Sequence, residues 1–357
     1  MCDTQAWNPN NQLRGGGTAT AGVLDLVPAT SAISSHDPIG SFNPPGLTQL
    51  IDPPSTETNC AGGRVAAWPH GVASIPDQYP ATYLLAVFFQ AYCITGTPPN
   101  ENYERRSTGV GFVVYDPANA SAPLHVDSTN PALYKYPLFP GTNTWSSPAY
   151  PDDGYGFGAV VEGDYLFIHQ CGQTPGAQQF KCFERRVHLN RTNALLDIVG
   201  IGTAANYQDL RSNGTWGTDG NPRNIIDPTG SHATDPLYQV NSGVSITRIN
   251  ALGTYVMSYM TPDFRIVFRT VSTLVDGAGT PGQWSAPVEI SAPCSGPGPN
   301  WAFPCYQPVV QEAMYSGATG TIGFTYFDTG LTSMPSTTAR GYGALRGASI
   351  PKSALGL

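Results

Sequence analysis

Four pairs of apolar, aromatic-rich segments recur along this chain, and a turn-forming stretch separates the two members of each pair. The first members begin at Tyr83, Asp164, Thr254 and Thr321. The second members occupy residues 109–115, 180–187, 264–269 and 341–345. A strand unit that returns along the sequence in this way is typical of the blades of a β-propeller. The repeat therefore predicts a fold whose chemistry lies around a central funnel.

The composition favours a chain of many short strands. The 357 residues include 40 glycines and 33 prolines, which are spread between the apolar segments. This distribution is expected where strands are joined by loops. No segment carries a sustained helical stripe of apolar residues. We therefore expect a single all-β domain over 1–357 with little helix.

The middle strands are continuously apolar and do not alternate with polar residues. Such a strand must be covered on both faces, and stacked blades cover it in that way. A two-sheet sandwich is the structural alternative, and it would show cleaner alternation. We predict a five-bladed β-propeller whose first blade is incomplete at the N-terminus. The partial blade is expected at about residues 1–60, and the others at about 64–115, 144–190, 206–270 and 284–350.

The charge pattern argues against several classes of protein. The net charge is −8 and the chain has no cluster of Lys and Arg, whereas a nucleic-acid partner requires a basic stripe. No apolar run approaches the ~20 residues that span a membrane. The six histidines lack metal-ligand spacing, and no nucleotide-binding loop is present. We predict no metal and no cofactor, and a monomer that interacts with neither nucleic acid nor membrane.

The cysteines indicate disulfide bonds. None of the seven cysteines has the close Cys-x-x-Cys spacing of a zinc or redox site. Cys171 and Cys182 flank a predicted hairpin turn, and Cys294 and Cys305 bracket a Pro/Gly loop. We expect both pairs to be bonded, with Cα separations of roughly 4.4–6.8 Å. The third expected bond joins Cys60 and Cys93 across a longer segment.

Three N-glycosylation acceptor sequences, at Asn119, Asn190 and Asn213, favour an extracellular glycoprotein together with the paired cysteines. The residues after Met1 contain neither the basic nor the apolar region of a signal peptide. We therefore expect the signal peptide to be absent from this chain, and the protein to be N-terminally truncated.

Two segments resemble signatures of five-bladed β-propeller glycosidases. Residues 207–216 resemble a tyrosine, short polar turn, glycine and tryptophan signature. Arg269-Thr270 followed by Gln283-Trp284-Ser285-Ala286-Pro287 is similar to an Arg-Thr-Ala and Gly-Pro-Trp-Ser-x-Pro signature. Trp68-Pro69 fits a blade start, and Cys2-Asp3-Thr4 resembles a Gly-Asp-Thr motif. The most similar family is the formerly uncharacterised propeller family that includes the endo-D-arabinofuranases.

This resemblance implies a glycoside hydrolase that acts on an oligo- or polysaccharide through two carboxylates. It makes Asp3 one of the catalytic pair, and it places the other on a strand that precedes residue 1. The chain as it stands is then expected to be inactive. The alternative for Asp3 is a solvated chain terminus. The alternative for the whole chain is a propeller that binds glycan without cleaving it.

Further residues are candidates for contacts with the glycan. Trp68 and His70 lie in a Trp-Pro-His-Gly sequence that reads as a loop, so we favour the pocket, with packing between blades as the alternative. Asp153 is expected at the mouth of a blade or in a solvated turn. Tyr306 is expected to stack on a sugar face, with packing between blades as the alternative. Arg269 ends a strand and is expected to contact the glycan or pair with a carboxylate, with a buried structural ion pair as the alternative.

Overall fold

The chain is almost entirely β-structure in the residues that the computed structural model describes. These are short strands between residues 7 and 49, followed by 51–57, 60–76, 83–96, 102–115, 126–139, 158–173, 180–192, 195–218, 222–232, 234–240, 244–276, 279–290, 305–328 and 344–357. The strands form antiparallel sheets. The expectation of an all-β chain is confirmed.

Five short strands precede the first large sheet. They are β1 (Trp7–Asn8), β2 (Gln12–Leu13), β3 (Thr20–Ala21), β4 (Ala32–Ser34) and β5 (Thr48–Gln49). The strands β1 and β2 pair with each other, and β3 pairs with β5. The strand β4 instead joins the last large sheet of the chain, so the two ends of the sequence meet in one sheet.

Blade 1 is a four-stranded antiparallel sheet formed by consecutive strands. It contains β6 (Gly63–Pro76), β7 (Tyr83–Thr95), β8 (Asn102–Tyr115) and β9 (Tyr134–Phe139). The β7 residues from Leu84 onward are mostly buried, in line with the continuously apolar sequence.

Blade 2 is a sheet of five strands. Its inner strands are β10 (Gly158–Glu162), β11 (Tyr165–Gln173) and β12 (Phe180–His188). A connection then contains β13 (Arg191–Thr192), β14 (Leu195–Leu196), the short helix α1 (Ile198–Ile201) and the 3-10 turn Ala204–Asn206. The outer strands β15 (Gln208–Leu210) and β16 (Trp216–Gly217) complete the sheet.

Blades 3 and 4 each contain four strands. Blade 3 consists of β17 (Val244–Ile249), β18 (Thr254–Met260), β19 (Ile266–Val271) and β20 (Val288–Ile290). Blade 4 consists of β21 (Cys305–Ser316), β22 (Thr321–Asp328), β23 (Ala344–Pro351) and the N-terminal strand β4. The remaining 3-10 turns are Pro236–Tyr238, Asn250–Leu252 and Lys352–Leu355.

Neighbouring residues of one strand enter different hydrophobic cores. In β11, Leu166 and Ile168 pack in the core shared with blade 1, whereas Phe167 packs in the core shared with blade 3. In β18, Tyr255 faces blade 2 and Val256 faces blade 4. Each of these sheets is therefore covered on both faces by its neighbours, as the continuously apolar strands predict.

The four blades follow one another in a propeller arrangement. The first strands of successive blades are adjacent, because β6 contacts β10, β10 contacts β17, and β17 contacts β21. The described residues form four blades, and not the five that the sequence predicts. Most of residues 1–60, which were expected to form the incomplete blade, lie outside the described residues.

The blade boundaries also differ from the expected ones. Residues 206–217 were expected to open the blade at about 206–270, but they carry β15 and β16 at the outer edge of blade 2. Residues 284–290 were expected to open the blade at about 284–350, but they contain β20, the last strand of blade 3. The outer strand of a blade pairs with a strand distant in sequence, so its sheet cannot be inferred from local pattern alone.

Two of the three expected disulfide bonds are present in the described residues. Cys60–Cys93 has a Cα separation of 5.4 Å, inside the expected window. Cys171–Cys182 has a Cα separation of 4.0 Å, just below it, because these residues face each other directly on β11 and β12. Cys294 lies outside the described residues, so the Cys294–Cys305 bond stays a prediction.

Candidate functional site

We call one edge of the blades the entrance edge. It is the edge at which the first strands β6, β10, β17 and β21 begin. The antiparallel order brings the end of β18 and the start of β12 to this edge too. Residues 222–232 and 234–240 lie along it between blades 2 and 3. In the first of these segments, the amide of Ile225 donates to the carbonyl oxygen of Cys182 at 2.8 Å. Tyr259 at the end of β18 donates to the carbonyl of Leu237 at 2.5 Å.

Trp68 and His70 lie within the strand β6, and not in the loop that the sequence suggested. Trp68 is paired with Gln90 and Pro69 with Phe89, and a register shift between Pro69 and Val72 forms a bulge around His70. A bulge tolerates a proline, which cannot donate to the sheet ladder. His70 is partly buried, and its role in binding glycan stays a prediction, as does that of Trp68.

Three further candidates lie wholly or partly outside the described residues. Asp3 and Asp153 are both outside them. The backbone of Tyr306 is described and pairs with Phe327 in blade 4, whereas the position of its side chain is not. Whether these residues and Trp68 and His70 surround one central cavity therefore stays a prediction.

Arg269 is described in full, and its guanidinium group binds main-chain oxygens. It lies on β19, with 4% of its surface exposed. It donates to the carbonyl of Ser285 at 2.7 Å and to that of Ile226 at 2.7 Å. Burial lowers the pKa of this guanidinium, and nearby Tyr259 opposes the shift. The acceptors are main-chain carbonyls. These hydrogen bonds are therefore neither the pairing with a carboxylate nor the buried ion pair that the sequence suggested.

The second sequence signature is thus one connected unit in blade 3. In addition to the contacts of Arg269, the amide of Thr270 donates to Ser285 Oγ at 2.9 Å. The amide of Ser285 donates back to the carbonyl of Thr270 at 2.8 Å. The Arg-Thr pair and the Trp-Ser pair therefore hold the segment before β20 against β19.

The first signature is a similar packing unit at the outer edge of blade 2. Trp216 lies over the guanidinium of Arg186. The central carbon of that guanidinium is 4.2 Å from the centre of the Trp216 ring. The ring of Tyr165 lies 4.3 Å from the same carbon, which places the cation between two aromatic rings. Burial lowers the pKa of Arg186, and Tyr165 acts in the opposite direction. Tyr207 donates to the carbonyl of Ile201 at 2.9 Å.

A buried histidine and a buried glutamate lie on the blade 3 side of blade 2. His169 on β11 and Glu184 on β12 are directly opposite in register. Their side chains are 0% and 4% exposed, and His169 Nε2 is 2.9 Å from Glu184 Oε2. His169 Nδ1 lies 3.2 Å from the carbonyl oxygen of Gly158. Since a carbonyl only accepts, Nδ1 carries a proton.

This geometry leaves one proton in the contact between His169 Nε2 and Glu184. It belongs either to an imidazolium that faces a carboxylate or to a carboxylic acid that faces a neutral imidazole. The pair contains the same number of protons in both arrangements. It is too deeply buried to touch a substrate, so its contribution is to hold β10, β11 and β12 together.

A second histidine, missed by the sequence reasoning, lies on the entrance edge. His232 is half-exposed and its Nδ1 is 3.2 Å from Oδ1 of the buried Asp227. Its ring stacks on Tyr238 at 4.0 Å between centres. The spacing of Asp227 and His232 matches no helical or strand period, so only the turn residues Pro228 to Gly230 marked this segment in the sequence.

The described residues contain no group of three or more His, Cys, Asp or Glu side chains that could hold a metal ion. Within the same part of the chain, no helix is long and apolar enough to cross a membrane.

Known proteins resemble this chain only remotely. No family model and no curated protein matches it. Among solved structures, a GH43 β-xylosidase/α-arabinofuranosidase from a compost microbial metagenome, in complex with xylotriose, has 14% identity and a TM-score of 0.37. The match covers 80% of this chain and 70% of the xylosidase chain. A GH43_1 enzyme from Xanthomonas citri, complexed with xylotriose, has 12% identity, a TM-score of 0.37, and 81% and 70% coverage.

A GH43 endo-arabinanase from Bacillus licheniformis has 10% identity and a TM-score of 0.31, with coverage of 79% of this chain and 73% of its own. Scores of this size do not transfer a fold or a function. The propeller arrangement of this chain therefore rests on the order and packing of its own sheets.

Proposed function

We propose that this chain is a glycan-active β-propeller of the glycoside hydrolase type, which acts on an oligo- or polysaccharide. The observation that carries the proposal is the contact between Arg269-Thr270 and Trp284-Ser285. Residues that resemble a propeller-glycosidase signature, and that stand 15 or 16 positions apart in sequence, form one unit in a blade. The resemblance is therefore consistent with the three-dimensional structure at these positions.

We further propose that the propeller has five blades, and that the additional one contains residues from 1–60. The first strands run in the order β6, β10, β17 and β21. Among the described residues, β21 makes no extensive contact with β6, whereas the first strands of successive blades do contact each other. In a closed ring of four blades, β21 and β6 would be neighbours in the same way. This observation favours an additional blade between blades 4 and 1.

An extracellular location is part of the same proposal. Two disulfide bonds lie in the described residues, and disulfides persist in oxidising compartments. The acceptor residues Asn190 and Asn213 are both exposed, as glycosylation requires, whereas Asn119 lies outside the described residues. We propose a monomeric, secreted glycoprotein.

The proposed chemistry uses a pair of carboxyl groups, of which Asp3 is one. One group protonates the leaving oxygen, and the other acts as nucleophile or as the base that activates water. Trp68, His70, Asp153 and Tyr306 are proposed to contact the glycan. Arg269 is proposed to support the blade, because its donors are directed to main-chain oxygens.

The test is a binding and hydrolysis assay with arabinofuranosyl and xylosyl oligosaccharides of three to six sugars. Hydrolysis that Asp3→Asn abolishes, in a variant with unchanged circular dichroism, supports the catalytic assignment. Binding without hydrolysis is expected both if the chain is inactive because the second carboxylate is lacking and if it is a glycan-binding propeller. A form that also carries a second carboxylate separates the two, because only a glycosidase should then cleave the glycan. If the chain neither binds nor cleaves any of these glycans, the proposed function is wrong.

A further inference from the structure

The entrance edge carries a half-exposed imidazole that a buried carboxylate holds in place. The side chain of His232 is 43% exposed, whereas that of Asp227 is 7% exposed. His232 Nδ1 is 3.2 Å from Asp227 Oδ1 and 3.1 Å from the hydroxyl of Ser231. The amide of His232 also donates to Asp227 Oδ2, at 3.0 Å. The carboxylate therefore fixes both the backbone and the ring of the same residue.

Aromatic stacking fixes the plane of this imidazole. The rings of His232 and Tyr238 are 4.0 Å apart with an angle of 9° between them. The guanidinium carbon of Arg269 lies 5.6 Å from the centre of the Tyr238 ring. His232 is thus the outer member of a series that begins at the buried arginine. A side chain held by hydrogen bonds and by stacking loses little conformational freedom when it binds a ligand.

The orientation determines which nitrogen is available. Because Nδ1 faces a carboxylate, it carries a proton, and in the neutral imidazole Nε2 is then the acceptor. Within the described residues, Nε2 of His232 makes no hydrogen bond to another side chain or to the backbone. The ring geometry directs Nε2 away from Asp227. The result is a preoriented acceptor on a half-exposed ring that stacks on Tyr238.

The surrounding charge favours a neutral ligand. The chain has a net charge of −8, and the charge of Asp227 lies beside the ring, so an anionic ligand would be repelled. A metal ion would need further ligands, and no group of three lies in the described residues. A neutral polyhydroxyl compound has the hydroxyl donors that a histidine acceptor requires.

We propose that His232 is a ligand-binding residue whose Nε2 accepts a hydrogen bond from a hydroxyl group of a neutral glycan at the entrance edge between blades 2 and 3. Asp227 is a positioning residue that keeps the proton on Nδ1. The identity of the ligand as a glycan rests on the proposed function. The orientation of His232 by Asp227, and the availability of Nε2 as an acceptor, do not depend on the proposed function.

The first measurement concerns the dyad alone. Long-range ¹H–¹⁵N NMR of the intact chain at neutral to mildly alkaline pH should show the neutral ring of His232 with its proton on Nδ1. In Asp227→Asn this preference should weaken, because a neutral amide holds the proton less strongly. A wild-type ring with its proton on Nε2 would overturn the proposal, whatever the chain binds.

The second measurement is binding of arabinofuranosyl and xylosyl oligosaccharides by calorimetry. His232→Ala should weaken binding about tenfold, the effect of losing one hydrogen bond of about 1.4 kcal/mol. His232→Gln should weaken it less, because its amide oxygen can still accept a hydrogen bond. The matched control is His188→Ala. His188 is also exposed and held through Nδ1, but by Asn190 at 2.6 Å and not by a carboxylate. Its removal should leave the affinity unchanged.

Protection from modification provides a readout in the unmutated protein. Diethyl pyrocarbonate should acylate His232, and saturating oligosaccharide should block that reaction but not the reaction at His188. If the wild type binds glycan and neither His232 variant changes the affinity, the inference is wrong while the proposed function stands. If the wild type binds no glycan, the proposed function fails, and the glycan assignment of His232 fails with it.

Discussion

Arg269 on β19 donates from Nη1 to the carbonyl oxygen of Ile226 at 2.7 Å, and so connects blade 3 to the segment that runs along the entrance edge. The same guanidinium binds the carbonyl of Ser285 through Nε. One buried cation therefore joins three parts of the chain that are distant in sequence. This makes Arg269 a structural link beneath the candidate site.

The first prediction follows from this arrangement. Arg269→Lys keeps the charge but loses the planar group that binds several carbonyls at once. We expect it to lower the free energy of unfolding by about 2–3 kcal/mol, because buried carbonyls lose charged donors. The control is Arg265→Lys, which affects the more exposed pairs with Asp263 and Glu289 and should cost less than about 1 kcal/mol.

Urea denaturation of both variants measures the difference. Glycan binding by Arg269→Lys, at a temperature where it is folded, separates the structural role from the substrate role expected from the sequence. Equal stability of the two variants would contradict the structural assignment.

The second prediction concerns His169 and Glu184. In Glu184→Gln the side-chain amide can donate to Nε2 of a neutral His169, so the contact of 2.9 Å survives without charge. In Glu184→Ala the buried Nε2 loses its partner, and a cavity forms as well. We expect Glu184→Ala to cost at least about 2 kcal/mol more than Glu184→Gln, measured by urea denaturation. Equal costs would show that the hydrogen bond contributes nothing.

The apolar strands were predictable from the sequence, whereas their assignment to blades was only partly so. The run around Phe167 predicts a strand covered on both faces, and alternate residues do enter two cores. The outer strand β15 pairs with β12 across α1, and such pairing depends on long-range packing that local pattern does not encode. The same limit explains why the signature around Trp216 was assigned to the following blade.

The candidate site was less predictable than the fold. The signature residues around Arg269 were identified, but their geometry is that of a link within a blade. Asp227 and His232 were missed because a turn brings them together without a regular period. Their chemistry depends on burial of one and exposure of the other, which the sequence does not show.

The third prediction concerns alkaline pH. Burial raises the pKa of Tyr255 to about 12, with Glu162 adding to the shift and Arg248 opposing it. Burial also raises the pKa of Tyr207 and of Tyr259, each with a nearby arginine opposing the shift. The unfolded chain ionises these phenols near pH 10. Their folded pKa values are higher, so their contribution to stability is complete below about pH 10 and falls as the pH rises above it.

We expect the chain to unfold cooperatively on the alkaline side of about pH 10. Phenolate absorbance near 295 nm should rise together with the loss of the native circular dichroism spectrum. Gradual ionisation of all tyrosines while the spectrum stays native would contradict the burial of these phenols.

The last prediction compares the two disulfide bonds. Cys60–Cys93 closes a loop with a sequence separation of 33, whereas Cys171–Cys182 has a separation of 11. If a disulfide acts mainly by restricting the unfolded chain, the two bonds contribute about 4 and about 3 kcal/mol respectively. Replacing both members of a pair by serine should therefore cost roughly 1 kcal/mol more for Cys60 and Cys93. Thermal unfolding of the two double variants checks this order, and the reverse order would show that native packing around Cys171 and Cys182 outweighs the effect of loop length.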